Sequence, residues 1–255
     1  MTASGRDRLR IAMDRYRRSL LDLEDFLLAG RGLPDVELAA AHRLILGIDK
    51  WVKDRFFLGA DPTRPPFIKF MDEFSQWGLG NPDNLYFSAQ VDASHAYVVR
   101  GDRGSCADIC IELRTGNGRL ESGEHSRTLG AIDAGALHVD DQGRFAVQIG
   151  GEARHPDYIA NQPGADMVFV RRTFDDWEQE RGGELWIECV GGPAEPSPPP
   201  GSDEVAAKIE AVARRLAWVT RINHEQVAEF RTPLLVDAFP PGPAYGRPAP
   251  KTERR

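Results

Sequence analysis

The chain has 255 residues, of which 41% are hydrophobic and 28% charged, which is enough to bury a substantial core. Its formal net charge of −7 argues against nucleic acid as the main partner, because phosphate binding needs a basic surface. No apolar run approaches the roughly 18 residues that cross a bilayer. Charged side chains occur throughout the first thirty residues, so no secretory signal is predicted. We therefore expect a cytoplasmic protein with neither a membrane span nor a nucleic-acid partner.

The chain lacks the sequence patterns of common metal and cofactor sites. Three cysteines, an odd number, are typical of a reducing cytoplasm and not of a disulfide scaffold. Cys106 and Cys110 have no second pair of ligands for zinc, and no two histidines are spaced four apart. The glycine motifs that cradle nucleotide phosphates and the Gly-x-Ser-x-Gly elbow of many hydrolases are also missing. The sequence thus predicts no metal and no organic cofactor.

Two helices are predicted near the start of the chain, over residues 6–28 and from Asp35 onward. In each, apolar residues recur every three or four positions and form a narrow seam on one side. The first seam comprises Leu9, Met13, Tyr16, Leu20, Leu23 and Leu27, and the second comprises Leu38, Ala41, Ile45, Ile48 and Val52. Glycines and Pro34 separate the helices, and Asp35 is placed to cap the second. The seams predict an antiparallel hairpin, and they leave open a homodimer that pairs them between two chains.

Three strands are predicted between Gly80 and Gly116, and polar residues alternate with apolar ones along two of them. The strands run from Leu85 to Asp92, from His95 to Arg100, and from Ala107 to Arg114. The polar residues are Tyr86, Ser88, Gln90 and Asp92 on the first strand and Asp108, Cys110, Glu112 and Arg114 on the third. Either these polar faces line a binding pocket, or they face water as one side of an antiparallel sheet often does.

The chain beyond Gly116 is predicted to add a hairpin and two more strands. The turn signal Asp-Asp-Gln-Gly at residues 140–143 predicts a hairpin between Leu137–Val139 and Arg144–Ile149. Met167–Phe174 is apolar on both faces up to its arginines, as expected of a central strand, and Leu185–Val190 follows it. In total about seven strands, mostly joined by hairpins, favour an antiparallel sandwich or a curled sheet.

A proline-rich linker, residues 191–201, separates the strands from a last helix that Ser202 caps. The seam of this helix comprises Val205, Ile209, Val212, Leu216 and Val219. We expect it to pack with the first two seams. The predicted fold is α+β: an antiparallel β-sandwich-like sheet core with an N-terminal helical hairpin and a C-terminal helix packed together. The expected divisions are residues 1–60 (hairpin), 61–190 (β-rich domain), 191–201 (linker), 202–238 (C-terminal helix region) and 239–255 (disordered tail).

Several short segments resemble a bacterial family. They are GNPDNLYFSAQVD (80–92), YVVRGDRGS (97–105), RTLGAI (127–132), FAVQIGG (145–151) and MVFVRRTFDDWEQERGGELWIECVG (167–191). This combination is similar to proteins that carry the domain of unknown function 1214, over residues 61–190. The chain resembles the N-terminal half of longer members, which suggests a short form or dependence on a partner. The resemblance implies a β-sandwich-like domain with helical additions and no particular reaction. Ile159-Ala-Asn161-Gln departs from the family's usual Asn-Trp-Leu.

Two pairs of residues near the predicted arginine strand are candidates for chemistry. His155 and Asp157 lie on a loop, where they fit a base with its orienting carboxylate, two metal ligands, or an ordinary exposed pair. Arg171 and Arg172 project from opposite faces of one strand, so we expect one of them to be buried and therefore paired. That arginine serves either as a structural ion pair or as an anion-recognising group.

These patterns favour a cofactor-independent bacterial enzyme of specialised small-molecule metabolism that uses acid–base chemistry, of isomerase, cyclase, dehydratase or hydrolase type. The candidate catalytic residues are Tyr86, Asp92, His155 and Asp157, and the candidate substrate-binding residues are Arg100, Arg171, Gln90 and Glu112. The alternative is a non-catalytic protein that binds a small organic molecule, or a dimerising accessory protein of a larger enzyme. Convergence of Tyr86, Asp92 and Arg171 on one pocket would favour an enzyme or a ligand-binding protein.

Overall fold

The computed structural model describes residues 4–28, 32–72, 75, 80–115, 126–195 and 198–230, without the side chains of 220–230. The helices are α1 (Gly5–Leu28), α2 (Asp35–Lys53) and α3 (Ser202–Phe230), and a π-helical turn, Asp54–Leu58, continues α2. The strands are β1 (Ile68–Lys69), β2 (Asn84–Gln90), β3 (Tyr97–Asp102), β4 (Asp108–Arg114), β5 (Thr128–Asp133), β6 (Arg144–Ile149), β7 (Tyr158–Ile159), β8 (Met167–Thr173) and β9 (Leu185–Cys189). The predicted tail over residues 239–255 lies outside the described part of the chain.

The strands form two sheets that share one core. The first sheet has the order β1-β2-β8-β4-β5 with antiparallel neighbours. The second has the order β7-β6-β3-β9, in which β6 and β7 are parallel and the other neighbours are antiparallel. Apolar side chains of both sheets fill the space between them, and those of Ile111, Val170 and Val147 are fully buried. The position of β8 in the middle of the first sheet confirms the prediction of a central strand for Met167–Phe174.

The first two helices form the predicted antiparallel hairpin. The Tyr16 hydroxyl on α1 donates a hydrogen bond of 2.7 Å to the Asp49 carboxylate on α2. Further along α1, the Glu24 carboxylate lies 3.4 Å from the ring of His42. Because a later position of α1 meets an earlier position of α2, the two helices run in opposite directions.

The third helix packs on this hairpin and runs parallel to α1. Arg8 forms an ion pair with Asp203, and Arg15 forms one with Glu210, each at 2.5 Å. The buried residues of the three seams meet in one cluster: Leu23, Ile45, Ile48, Val52, Val212, Leu216 and Val219. The predicted packing of the third seam against the first two is therefore confirmed, and the fold is α+β as expected.

A buried arginine joins the three helices to the outer face of the first sheet. Arg55, in the π-helical turn, is 3% exposed, and its guanidinium donates to the Ser88 hydroxyl on β2. Burial lowers the pKa of Arg55. The guanidinium also lies 5.3–5.9 Å from the ring centres of Trp51, Phe56 and Phe70. Part of the polar face of β2 is thus covered by helices and does not face water.

The arginine pair on β8 is divided as the strand alternation predicts. Arg171 is exposed, whereas Arg172 is 1% exposed and burial lowers its pKa. No carboxylate is among the hydrogen-bond partners described for Arg172, which donates to the backbone carbonyls of Asp102, Gly183 and Glu184. These carbonyls lie at the adjoining ends of β3 and β9. Arg172 therefore ties the first sheet to the second, which is a structural role.

The strand predicted over Leu137–Val139 is wrong, and β5 was not predicted. Residues Leu137–Val139 are not a strand, because the backbone N–H of Leu137 bonds to the Asp133 carbonyl and turns the chain there. The turn at residues 140–143 forms as expected, but β6 after it pairs with β3 and β7. Strand β5 fills the edge of the first sheet instead. None of the described helices combines the length and apolar character that a membrane span requires.

Candidate functional site

A cavity of about 550 Å³ opens on the outer face of the second sheet. Three residues on adjacent strands form its base. Arg100 on β3 lies directly opposite Ala146 on β6 and Trp186 on β9. Because side chains alternate along a strand, all three project away from the core. Ala146 has a small side chain, which leaves a hollow in the sheet surface. His138 and His155 line the same cavity from the loops before β6 and β7.

His138 is held by a buried carboxylate. Its ring Nδ1 lies 2.5 Å from Asp157 Oδ1, and its backbone N–H donates to Asp157 Oδ2 at 2.9 Å. The Asp157 side chain is 2% exposed, whereas that of His138 is 69% exposed. An ionised carboxylate can only accept hydrogen bonds, so Nδ1 of His138 is the donor. The lone pair of the neutral ring is then on Nε2, where it can accept a proton.

His155 contacts the same aspartate in a different way. The backbone N–H of Asp157 donates to Nδ1 of His155 at 3.1 Å. The two residues are in contact, but through the Asp157 backbone and not through its carboxylate, which orients His138. His138 was not singled out from the sequence, because it lies 19 residues from Asp157 in a segment assigned to a strand. No local pattern points to His138, because its contact with Asp157 depends on how the chain turns between β5 and β6.

Two guanidinium groups stand at the same cavity. Arg100 lies 3.5 Å from Glu188, and Arg144 lies 3.0 Å from Asp140; all four side chains are at least 45% exposed. Exposed ion pairs contribute little free energy, roughly 0–1 kcal/mol. Either guanidinium can therefore exchange its partner for the carboxylate of a bound molecule at small cost.

Gln90 and Asp92 lie at a second cavity, of about 910 Å³, between α3 and the end of β2. Asp92 accepts hydrogen bonds from the hydroxyl and the backbone N–H of Ser94, and these lower the pKa of Asp92. This arrangement is ordinary turn chemistry. Gln90 Oε1 is buried and has no hydrogen-bond partner among the described residues. We call this space the α3 cavity.

Tyr86, Arg171 and Glu112 lie on the outer face of the first sheet and line neither of these two cavities. Tyr86 is the direct cross-strand neighbour of Arg171, and its hydroxyl accepts a bond of 2.7 Å from the Asn84 side chain. Glu112 lies 3.2 Å from Arg114 on the same strand. Tyr86, Asp92 and Arg171 thus do not meet at either of the two cavities. The predicted residues that do meet are Arg100, His155 and Asp157.

The described cysteines form no disulfide, and the described acids join no cluster that could hold a metal ion. Cys106, Cys110 and Cys189 are free thiols, and burial raises the pKa of Cys110 to about 11, with Glu112 acting in the same direction. At neutral pH that thiol is protonated and a weak nucleophile. Within the described ranges, no three His, Cys, Asp or Glu side chains lie close enough to hold a metal ion.

The fold and site define an α+β protein: a two-sheet, mainly antiparallel sandwich with a helical layer and a cavity whose His138 is bound by the buried Asp157. The structure is similar to that of an uncharacterized protein from Burkholderia cenocepacia, with a TM-score of 0.73 and 24% identity over 84% of this chain. The match covers 58% of the Burkholderia chain, so this chain spans little more than half of it. At this identity the similarity shows the fold alone.

A second match, to the VPA0106 protein from Vibrio parahaemolyticus, has a TM-score of 0.32 and 18% identity over 45% of this chain and 32% of that one. This superposition is too poor to support any conclusion. No family model and no curated protein matches the sequence. The resemblance to the family of the domain of unknown function 1214 therefore stays a prediction.

Proposed function

We propose that this protein is a cofactor-independent cytoplasmic enzyme that acts on a small organic acid by acid–base chemistry, with His138 as the general base. The observation that carries the proposal is the contact between the buried Asp157 carboxylate and Nδ1 of the exposed His138. A carboxylate in this position fixes the tautomer of the ring and stabilises the imidazolium that forms when Nε2 takes a proton. Asp157 is a positioning residue, since it acts through His138.

The rest of the cavity suits a molecule with one anionic and one apolar end. Arg100 and Arg144 offer planar guanidinium groups that match the geometry of a carboxylate. Trp186, 39% exposed, offers an apolar surface beside them. A volume of about 550 Å³ is sufficient for a metabolite-sized acid. A cytoplasmic location agrees with three cysteines that all remain free thiols.

A panel of small 2-oxo, hydroxy and unsaturated carboxylic acids tests this function. Each acid is incubated with wild-type protein, with His138→Gln and with His42→Gln, and its conversion is followed by NMR and mass spectrometry. His42 is a matched control, because it is an exposed histidine on α2, outside the cavity. We expect His138→Gln to lose about 10²–10⁴-fold in rate and His42→Gln to match the wild type. Absence of wild-type conversion for the whole panel, or full activity of His138→Gln, would contradict the proposal.

The α3 cavity favours a second candidate function, non-catalytic binding of a small molecule. Its wall holds the buried Gln90 Oε1, an acceptor that a ligand donor would satisfy. For this function we expect a thermal shift with a hydrogen-bond-donating metabolite that Gln90→Leu removes and His138→Gln preserves. A shift that persists in Gln90→Leu would place the ligand elsewhere.

An accessory role with a homodimer is the remaining alternative. The three seams pack against one another within the chain, so a dimer would use exposed apolar residues such as Leu21 and Leu46. A mass twice 28.3 kDa in light scattering, reduced to 28.3 kDa by Leu46→Glu, would support this role. A mass of 28.3 kDa at all concentrations would contradict the dimer.

A further inference from the structure

We propose that His155 is a second functional residue of the same cavity: a neutral imidazole whose Nε2–H donates a hydrogen bond to a substrate carbonyl oxygen. It follows that the substrate class is a carbonyl-containing carboxylic acid with an acidic C–H next to the carbonyl, and that the reaction begins with enolisation. This inference rests on the proposed role of His138 as the base.

The tautomer of His155 follows from one contact. A backbone N–H can only donate, so the 3.1 Å contact from Asp157 N requires a lone pair on Nδ1 of His155. The proton of the neutral ring is then on Nε2. Protonation of Nδ1 would break this hydrogen bond.

His138 has the opposite tautomer, and the same residue determines both. The Asp157 carboxylate accepts from Nδ1–H of His138, and the Asp157 N–H donates to Nδ1 of His155. Both rings line one cavity. The cavity thus presents one Nε2 that accepts a proton and one Nε2–H that donates a hydrogen bond.

A neutral imidazole of this kind is an electrophile and not a proton donor. Loss of its Nε2 proton would leave an imidazolate, which is too basic to form at neutral pH. As a hydrogen-bond donor it polarises a carbonyl and stabilises the negative charge that develops on oxygen. A base (His138) and a neutral hydrogen-bond donor (His155) at one cavity are the two groups that proton abstraction next to a carbonyl group requires.

The step balances without an oxidant or a reductant. Nε2 of His138 takes the proton as the C–H bond breaks, and the electron pair forms a carbon–carbon double bond. The carbonyl π electrons move to oxygen, giving an enolate whose oxygen accepts the hydrogen bond from His155. The His138 imidazolium then returns the proton to carbon. Arg100 or Arg144 holds the carboxylate throughout.

Hydrogen–deuterium exchange at carbon tests this assignment. 2-Oxobutyrate is incubated in D₂O with each variant, and loss of the C3 proton signal is followed by ¹H NMR; butyrate, which lacks the ketone, is the control acid. We expect the wild type to exchange C3 protons of 2-oxobutyrate above the buffer rate and to leave butyrate unchanged. His155→Ala should slow exchange about 10²–10³-fold, because one donor to the enolate oxygen is lost. His155→Gln, which keeps an N–H donor, should recover part of the rate.

The outcomes separate this inference from the proposed function. If wild-type protein converts an acid of the panel but exchanges no C3 proton, the enolisation step is wrong while His138 can still be the base. If His138→Gln stops exchange and His155→Ala exchanges at the wild-type rate, His155 has no part in it. Exchange that is equal in wild type and His138→Gln would overturn both this inference and the proposed role of His138 as the base.

A second readout does not depend on activity. Long-range ¹H–¹⁵N NMR of the histidine rings at neutral pH should show His155 protonated on Nε2 alone and neutral His138 protonated on Nδ1 alone. The ring signals that disappear in His155→Gln are those of His155, so this variant assigns them. A proton on Nδ1 of His155 would overturn the inference.

Discussion

At the scale of single residues, Asp157 has an unusual set of contacts. Its carboxylate accepts two hydrogen bonds from His138, and its backbone N–H donates to His155. A carboxylate that is 2% exposed requires such partners, because burial of an unpaired charge is costly. The contacts also fix the orientation of two rings at one cavity. The same residue thus satisfies a structural requirement and determines the chemistry of the cavity.

We expect Asp157→Asn to reduce kcat by about 10²–10⁴-fold. The amide of asparagine can donate to Nδ1 of His138, which moves the ring proton to Nε2 and removes the base. One former acceptor position is also lost, so we expect the free energy of unfolding to fall by about 1–3 kcal/mol. Steady-state kinetics and urea unfolding measure the two effects. Asp14→Asn, at an exposed position of α1, is the control, and an unchanged kcat in Asp157→Asn would contradict the role of the carboxylate.

The pKa of Cys110 makes a prediction about thiol reactivity. Burial raises this pKa to about 11, whereas a free cysteine has a pKa of about 8.5. Iodoacetamide labelling of Cys110, followed by mass spectrometry, should therefore continue to accelerate between pH 9 and about 11, because only the thiolate reacts. The raised pKa stabilises the fold below the unfolded pKa, and this contribution is lost as pH rises toward about 11. A labelling rate that is constant above pH 9 would show a pKa near the free value.

His138 shows why sequence alone could not locate the site. The sequence identifies His155 and Asp157 as a close pair and Arg100 as a candidate substrate-binding residue. The contact between His138 and Asp157 depends on where a turn directs the chain 19 residues earlier, and no local pattern encodes it. Conversely, Tyr86 and Arg171 are cross-strand neighbours that line neither described cavity.

At the scale of elements, the spacing of apolar residues was sufficient to predict the helices and most of the strands. Seams with a helical spacing predict α1, α2 and α3, because burial of one face determines where a helix lies. Strand β8 is apolar on both faces, which predicts its central position. Strand β5 (TLGAID) has no comparable pattern, since much of its surface is accessible at the edge of the sheet. The segment Leu137–Val139 has the pattern of a strand but turns at the Asp133 carbonyl.

The contribution of Arg172 to the connection between the two sheets can be measured as a change in the free energy of unfolding. We expect Arg172→Met to lower the free energy of unfolding by about 3–5 kcal/mol, because a buried guanidinium and its bonds to three partly buried backbone carbonyls are lost. Arg171→Met is the matched control at the adjacent, exposed position and should change stability by less than about 0.5 kcal/mol. Urea unfolding of both variants gives the comparison. Equal stabilities would mean that Arg172 does not hold the sheets together.

At the scale of the whole molecule, the helical layer and the second sheet lie on opposite sides of the first sheet. The α3 cavity belongs to the helical side and the histidine cavity to the outer face of the second sheet. The two proposed functions therefore use different surfaces. The residues that line one cavity do not line the other, so one titration can discriminate between the two functions.

That titration is the most direct measurement of the central claim. 2-Oxobutyrate is added to ¹⁵N-labelled wild-type protein while the backbone and side-chain signals are followed by NMR. We predict saturable shifts of the ring signals of His138 and His155 and of the Trp186 indole N–H, with no change at Trp218 in the α3 cavity. Saturable shifts at Trp218 with none at the two histidines, or no saturable shift at all, would contradict the account.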